Sequence, residues 1–153
     1  KKGQNINVKE LERKLGVPVV EISALKGEKI DDLMKVAKYL KERRPDLPTR
    51  VNTNGLSSLY NKRDITPEFK GLLDTVSISL NTSNKEDYLK LTRSQYGIDS
   101  FDELLDFAKK CKAYVPHVVL TIVDTTIPEK DVEICKQIAQ NIGVTLRIRP
   151  FED

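Results

Sequence analysis

The sequence predicts an α/β domain of five parallel strands alternating with helices, built like part of a (βα) barrel. Three observations point there. Helix-like and strand-like periodicities alternate along the whole chain, which implies parallel strands joined by right-handed crossovers. The strands are apolar on one parity and mostly polar on the other. A doubly wound sheet, covered by helices on both faces, needs apolar central strands on both, whereas a barrel wall carries polar groups toward its lumen. Finally, 153 residues of which 39% are apolar supply one core, so residues 1–153 read as a single domain. A flavodoxin-like or Rossmann-like open sheet is the alternative, with the N-terminal helix crossing to cover the second face.

The elements follow in order. Asn7 stands as N-cap to a helix carrying Val8, Leu11 and Leu15 and stopped by Gly16, and Val17–Ser23 is the first strand. Ile30, Leu33, Met34, Ala37 and Leu40 form the stripe of a helix that Pro45 terminates. Thr49–Asn54 is a strand closed by Gly55, and Thr66 caps a short helix with Pro67 at its first position. Asp74–Asn81 is a strand, and Ser100 caps a helix bearing Phe101, Leu104, Leu105 and Ala108. Val118–Asp124 is a strand, followed by a helix with Val132, Ile134, Ile138 and Ala139 that ends at Gly143. Val144–Arg149 is the last strand. Split by parity, one face collects Val20, Ile22, Val51, Thr53, Val76, Ile78, Leu80, Val118, Leu120, Ile122, Leu146 and Ile148. The other collects Glu21, Arg50, Asn52, Asn54, Ser77, Ser79, Asn81, Thr121, Thr145, Arg147 and Arg149, with Val119 and Val123 among them.

Composition narrows the function classes. Lys and Arg number 26 against 23 Asp and Glu, and the two signs interleave, so no basic stripe marks a nucleic-acid surface. Aromatics are only 6% and Trp is absent, which argues against base stacking. No apolar run approaches the roughly 20 residues that span a bilayer, and the first residues do not read as a signal peptide; the expectation is a cytoplasmic protein without a membrane partner. Two exposed sheet edges suggest a weak homodimer.

Two strings of residues carry family resemblances. Ile30-Asp-Asp-Leu, Asp46-Leu-Pro-Thr-Arg-Val-Asn-Thr-Asn-Gly55, Arg63-Asp-Ile-Thr-Pro-Glu68, Asp74-Thr-Val-Ser-Ile-Ser-Leu-Asn81, Tyr114-Val-Pro-His-Val-Val-Leu-Thr121 and Arg147-Ile-Arg-Pro150 occur in order. From about residue 30 onward the chain thus resembles the C-terminal part of a radical S-adenosylmethionine (SAM) protein of the TatD-associated subfamily. Val8-Lys-Glu-Leu-Glu-Arg-Lys-Leu-Gly-Val-Pro-Val-Val-Glu-Ile-Ser-Ala-Leu-Lys-Gly27 is similar instead to the end of a GTPase domain of the ferrous-iron transporter type, with Ser23-Ala24 in the place of its guanine-contacting loop. The seam, near residues 27–30, joins a strand end to a helix without breaking the alternation, as expected of an engineered or recombined chimera.

The radical SAM resemblance implies a cavity wall in which polar residues at strand ends contact SAM, and the positions matching it are Asn54, Ser79, Asn81 and Thr121. The bland alternative is that these groups are simply solvated on an uncovered face. Catalytic residues are not expected. The family's cluster needs three thiolates spaced C-x3-C-x2-C, and this chain has only Cys111 and Cys135, both within helices. The GTPase phosphate loop G-x-x-x-x-G-K-[ST] is missing, and Asn61-Lys-Arg-Asp64 comes after the Ser-Ala loop rather than before it, so it does not read as a guanine motif. His117 lies beside Pro116 with no nucleophile or acid at a catalytic spacing. The expectation is a scaffold with no cofactor, no metal and no catalysis of its own, or else a residual SAM- or nucleotide-binding module at the strand C-terminal ends.

Overall fold

The computed structural model describes residues 30–124 and 127–150. The helix read at Asn7–Gly16, the strand Val17–Ser23 and the seam lie outside the described residues, except for Ile30 itself. Within them the order is α1 (Ile30–Arg43), β1 (Arg50–Thr53), α2 (Ser57–Asn61), a 3₁₀ turn (Thr66–Phe69), β2 (Thr75–Ser79), α3 (Lys85–Thr92), a second 3₁₀ turn (Gly97–Asp99), α4 (Ser100–Cys111), β3 (His117–Val123), α5 (Glu129–Ile142) and β4 (Thr145–Arg149).

Each long helix has a local reason to form. α1 buries Met34 and Ala37, carries Asp31 and Asp32 in its first turn and Lys41 and Arg43 in its last, and so offsets its own dipole. It stops two residues before Pro45, whose ring bars the preceding residue from helical backbone. α4 buries Phe101, Leu104, Phe107, Ala108 and Cys111 along one stripe. α5 buries Cys135, Ala139 and Ile142 and ends on Gly143 in left-handed backbone.

The four strands form one parallel sheet in the order β1-β2-β3-β4. This sequential order is not the flavodoxin order. That order needs the first strand between the strands at Thr49–Asn54 and Asp74–Asn81. Here Val51 pairs with Val76 and Thr53 with Ile78 directly, so no strand can intervene. Among the described residues there are four strands, not five.

The apolar parity is the core. Val76, Ile78, Leu80, Leu120 and Ile122 are fully buried, and α4 lies across β2 and β3 while α5 packs beside it on β4. Phe69 meets Phe107 edge to face, and Tyr88 meets Phe101 in the same way. Two caps differ from expectation. Ser100 is not the N-cap of α4; it is buried, and its hydroxyl donates to the Gly97 carbonyl at 2.7 Å, joining the preceding 3₁₀ turn to the helix. Thr66 lies inside its 3₁₀ turn; the N-cap position is Ile65, and the Asp64 carboxylate just before it accepts from the Thr66 N–H at 3.0 Å.

Candidate functional site

The four residues implied by the resemblance divide between two hollows. Ser79 and Thr121 lie on the polar face of the sheet, in a hollow of about 250 Å³ lined also by Arg50, Asn52, Ser77, Arg147 and Arg149. Asn54 and Asn81 lie past the ends of β1 and β2, in a hollow of about 380 Å³ walled by Leu56, Tyr88, Thr92, Arg93 and Tyr96.

Register builds the first hollow. Asn52 pairs with Ser77, Ser77 with Val119 and Val119 with Thr145, making one row across all four strands. The next row along the same face is Ser79, Thr121 and Arg147, and Val123 with Arg149 follows. Alternation sends all of these side chains to the side opposite Ile78 and Leu120. Arg50 extends along β1, donating from Nε to the Asn52 amide oxygen at 3.3 Å and from Nη2 to the Ser77 hydroxyl at 3.0 Å. Ser77 and Thr121 are buried, and the Thr121 hydroxyl donates to the Ile78 carbonyl at 3.3 Å, which gives it a structural partner inside the sheet. Arg147 and Arg149 are exposed. The hollow is therefore rich in donors, and among the described residues no carboxylate lines it.

The second hollow is shaped by backbone. Asn81 has φ +63°, a left-handed conformation that Asn tolerates better than most residues, while its N–H donates to the Thr121 carbonyl at 3.2 Å. Asn54 forms a turn by accepting the Leu56 N–H at 3.1 Å. Gly55 between strand and turn, at φ +78°, brings its backbone against α4: an added Cβ would stand 3.0 Å from Leu104 Cβ and 3.2 Å from Leu104 Cα. Burial, with no charged partner, pushes the Tyr88 phenol beside this hollow up to about 12.

The thiols do not fit a radical SAM cluster. Cys111 and Cys135 are both fully buried, on α4 and α5, and burial pushes them up to about 12 and about 11 respectively, so neither is a thiolate near neutrality. Two cysteines in a chain cannot supply three ligands, and no step is derived through such a cluster. Asn61-Lys-Arg-Asp64 is occupied structurally. Asn61 donates to the Ser57 carbonyl, Lys62 caps α2 in left-handed backbone, Arg63 pairs with Glu68, and Asp64 holds Thr66. His117 opens β3 on the exposed margin of the sheet.

Arg50 and Ser77 were legible only as members of the polar parity; nothing in the sequence singled them out beside Asn52, Ser79 and Thr121. Their convergence with Arg147 and Arg149 depends on strand register. No family model matches the chain, and no curated protein matches it. No helix of the described residues is long and apolar enough to cross a membrane.

Proposed function

We propose that the chain is a recombined α/β scaffold, a partial barrel with no catalytic activity of its own, whose function is to bind a polar ligand on the polar face of its sheet. In this reading residues from about 30 onward derive from a radical SAM-type barrel wall, and the seam near 27–30 joins them to the end of a GTPase-like segment. One observation carries it: Arg50, Asn52, Ser77, Ser79, Thr121, Arg147 and Arg149, drawn from four sequential strands, line one hollow on the side away from the helices. Sequential winding with polar groups inward is the arrangement in which barrels hold ligands, at the C-terminal ends of their strands.

The test is a titration with S-adenosylhomocysteine followed by backbone amide NMR. Weak, millimolar binding is expected, with shifts confined to the polar face of β1–β4, and weakened by Ser79→Ala. Shifts on the helical side, or none at all, would overturn the reading. The same preparation, reconstituted anaerobically with iron and sulfide, should take up no stoichiometric cluster; brown protein that cleaves SAM would refute the claim that it has no catalysis of its own.

A further inference from the structure

We infer that the hollow on the polar sheet face is an anion site for the phosphate group of a small soluble phosphomonoester, held by Arg50, Arg147 and Arg149 with help from the Ser77 and Ser79 hydroxyls. This deepens the binding reading above and rests on it. Arg50, Arg147 and Arg149 line one hollow of about 250 Å³, and among the described residues its lining holds no carboxylate. Like charges brought together on one face repel, and a bound anion is the group that turns that repulsion into attraction. Guanidinium is the cation suited to the task, because its planar fork matches phosphate oxygens in pairs.

The donors are arranged for an oxyanion rather than for one carboxylate. Arg147 sits in the row with Thr121 on the adjacent strand and Ser79 one strand further on, and all three line the same hollow. From the other edge, Arg50 reaches from β1 to Ser77 on β2, whose hydroxyl accepts that bond and retains its own hydrogen for a further acceptor. Arg149 lies one row further along β4. A carboxylate is satisfied by a single bidentate arginine; a phosphate monoester, with close to two negative charges and three terminal oxygens, uses donors arriving from two sides. Among the described residues the lining has no aromatic side chain on which a nucleobase could stack, so the phosphate and not a base is the recognised part. The small volume and the lack of stacking also disfavour a nucleic-acid strand.

The experiment is isothermal titration of the full chain with AMP, adenosine and inorganic phosphate at low salt. AMP and phosphate should bind and adenosine should not. Arg147→Gln should weaken AMP at least about tenfold, as loss of a charge-assisted contact does. Arg147→Lys should restore part of that loss, and Lys136→Gln, on the exposed side of α5 beside Glu133, should leave it unchanged. Both positions are exposed, and a thermal melt of each variant confirms that the fold persists. Equal binding of AMP and adenosine overturns the phosphate assignment, as does AMP binding indifferent to Arg147→Gln. A single-stranded oligonucleotide that displaces AMP at equal phosphate concentration, or an AMP affinity that falls as protein concentration rises, would put a different occupant on the face and likewise overturn it. If S-adenosylhomocysteine shifts the sheet face while AMP and phosphate do not, the phosphate inference fails and the binding face stands. If none of these ligands binds, both fail.

Discussion

Asp74 ties the lower end of the sheet to α1. Its carboxylate accepts from Lys41 Nζ at 2.6 Å and from the Thr49 N–H at 2.6 Å, while its own N–H lies 3.2 Å from the Thr49 hydroxyl. The Lys41 hydrogen bond, then that of the Thr49 backbone, pulls the Asp74 carboxyl down to about 2. A folded value below the usual carboxylate value means the contribution to stability is complete above about pH 4 and is lost as the pH falls toward 2. Asp74→Asn should therefore cost about 1–2 kcal/mol at neutral pH and flatten the acid limb of the stability curve over that window. Urea melts at pH 7, 4 and 2.5 check it; parallel curves for the two proteins would be the contrary result. Gly55 and Gly71 make a second comparison at this scale. Both have left-handed backbone, but a Cβ at Gly71 meets nothing within 4 Å, whereas one at Gly55 runs into α4. Gly71→Ala should cost about 1 kcal/mol, from backbone alone. Gly55→Ala should cost about 2–4 kcal/mol, because the helix backbone cannot yield as a side-chain tip would. Denaturation midpoints of the two variants decide the order.

Among the longer helices, α3 is the one the hydrophobic pattern does not reveal. Its eight residues bury only Tyr88, and the rest are mostly polar, so no stripe is visible. The helix is fixed at its start instead. Asn84 accepts the Asp87 N–H at 2.9 Å, and its amide returns a bond to the Asp87 carboxylate at 3.0 Å, a reciprocal cap three residues apart. That Asn-x-x-Asp spacing was the available signal. Asn84→Ala should destabilise the domain by about 1 kcal/mol, with faster amide exchange confined to Lys85–Thr92 if the cap acts locally. The neighbouring α4 shows the reverse: its stripe was plain, but the residue taken as its cap, Ser100, serves the turn before it. Stripes are periodic and survive in a sequence; caps depend on which of several nearby polar groups the chain brings round.

For the whole molecule, the open question is what meets the edge of the sheet. Among the described residues β4 is paired on one side only, and Ile148 on its helix side is 41% exposed. An unpaired strand with an apolar residue favours association, while Arg147 and Arg149 on the same strand repel their copies, so a homodimer formed through β4 is expected to be weak. Light scattering over a wide concentration range should show mass rising with concentration, and more steeply at high salt, where the arginines are screened. A constant monomer mass would refute the proposed dimer.

The α/β class, the apolar and polar faces of the strands and the stripes of α1, α4 and α5 were determined by the sequence alone, because each is a matter of local period: alternation by two in a strand, by 3.6 in a helix. Tertiary structure decided what no local period can encode. Direct pairing of β1 with β2 selected sequential winding over the flavodoxin-like order, since strand order rests on contacts between segments more than 20 residues apart in sequence. Register decided that Ser79 and Thr121 share a hollow with Arg147, while Asn54 and Asn81 fall into another. The parity of a residue says which side of the sheet it faces; only the pairing of one strand with the next says which residues on that side stand within reach of the same ligand.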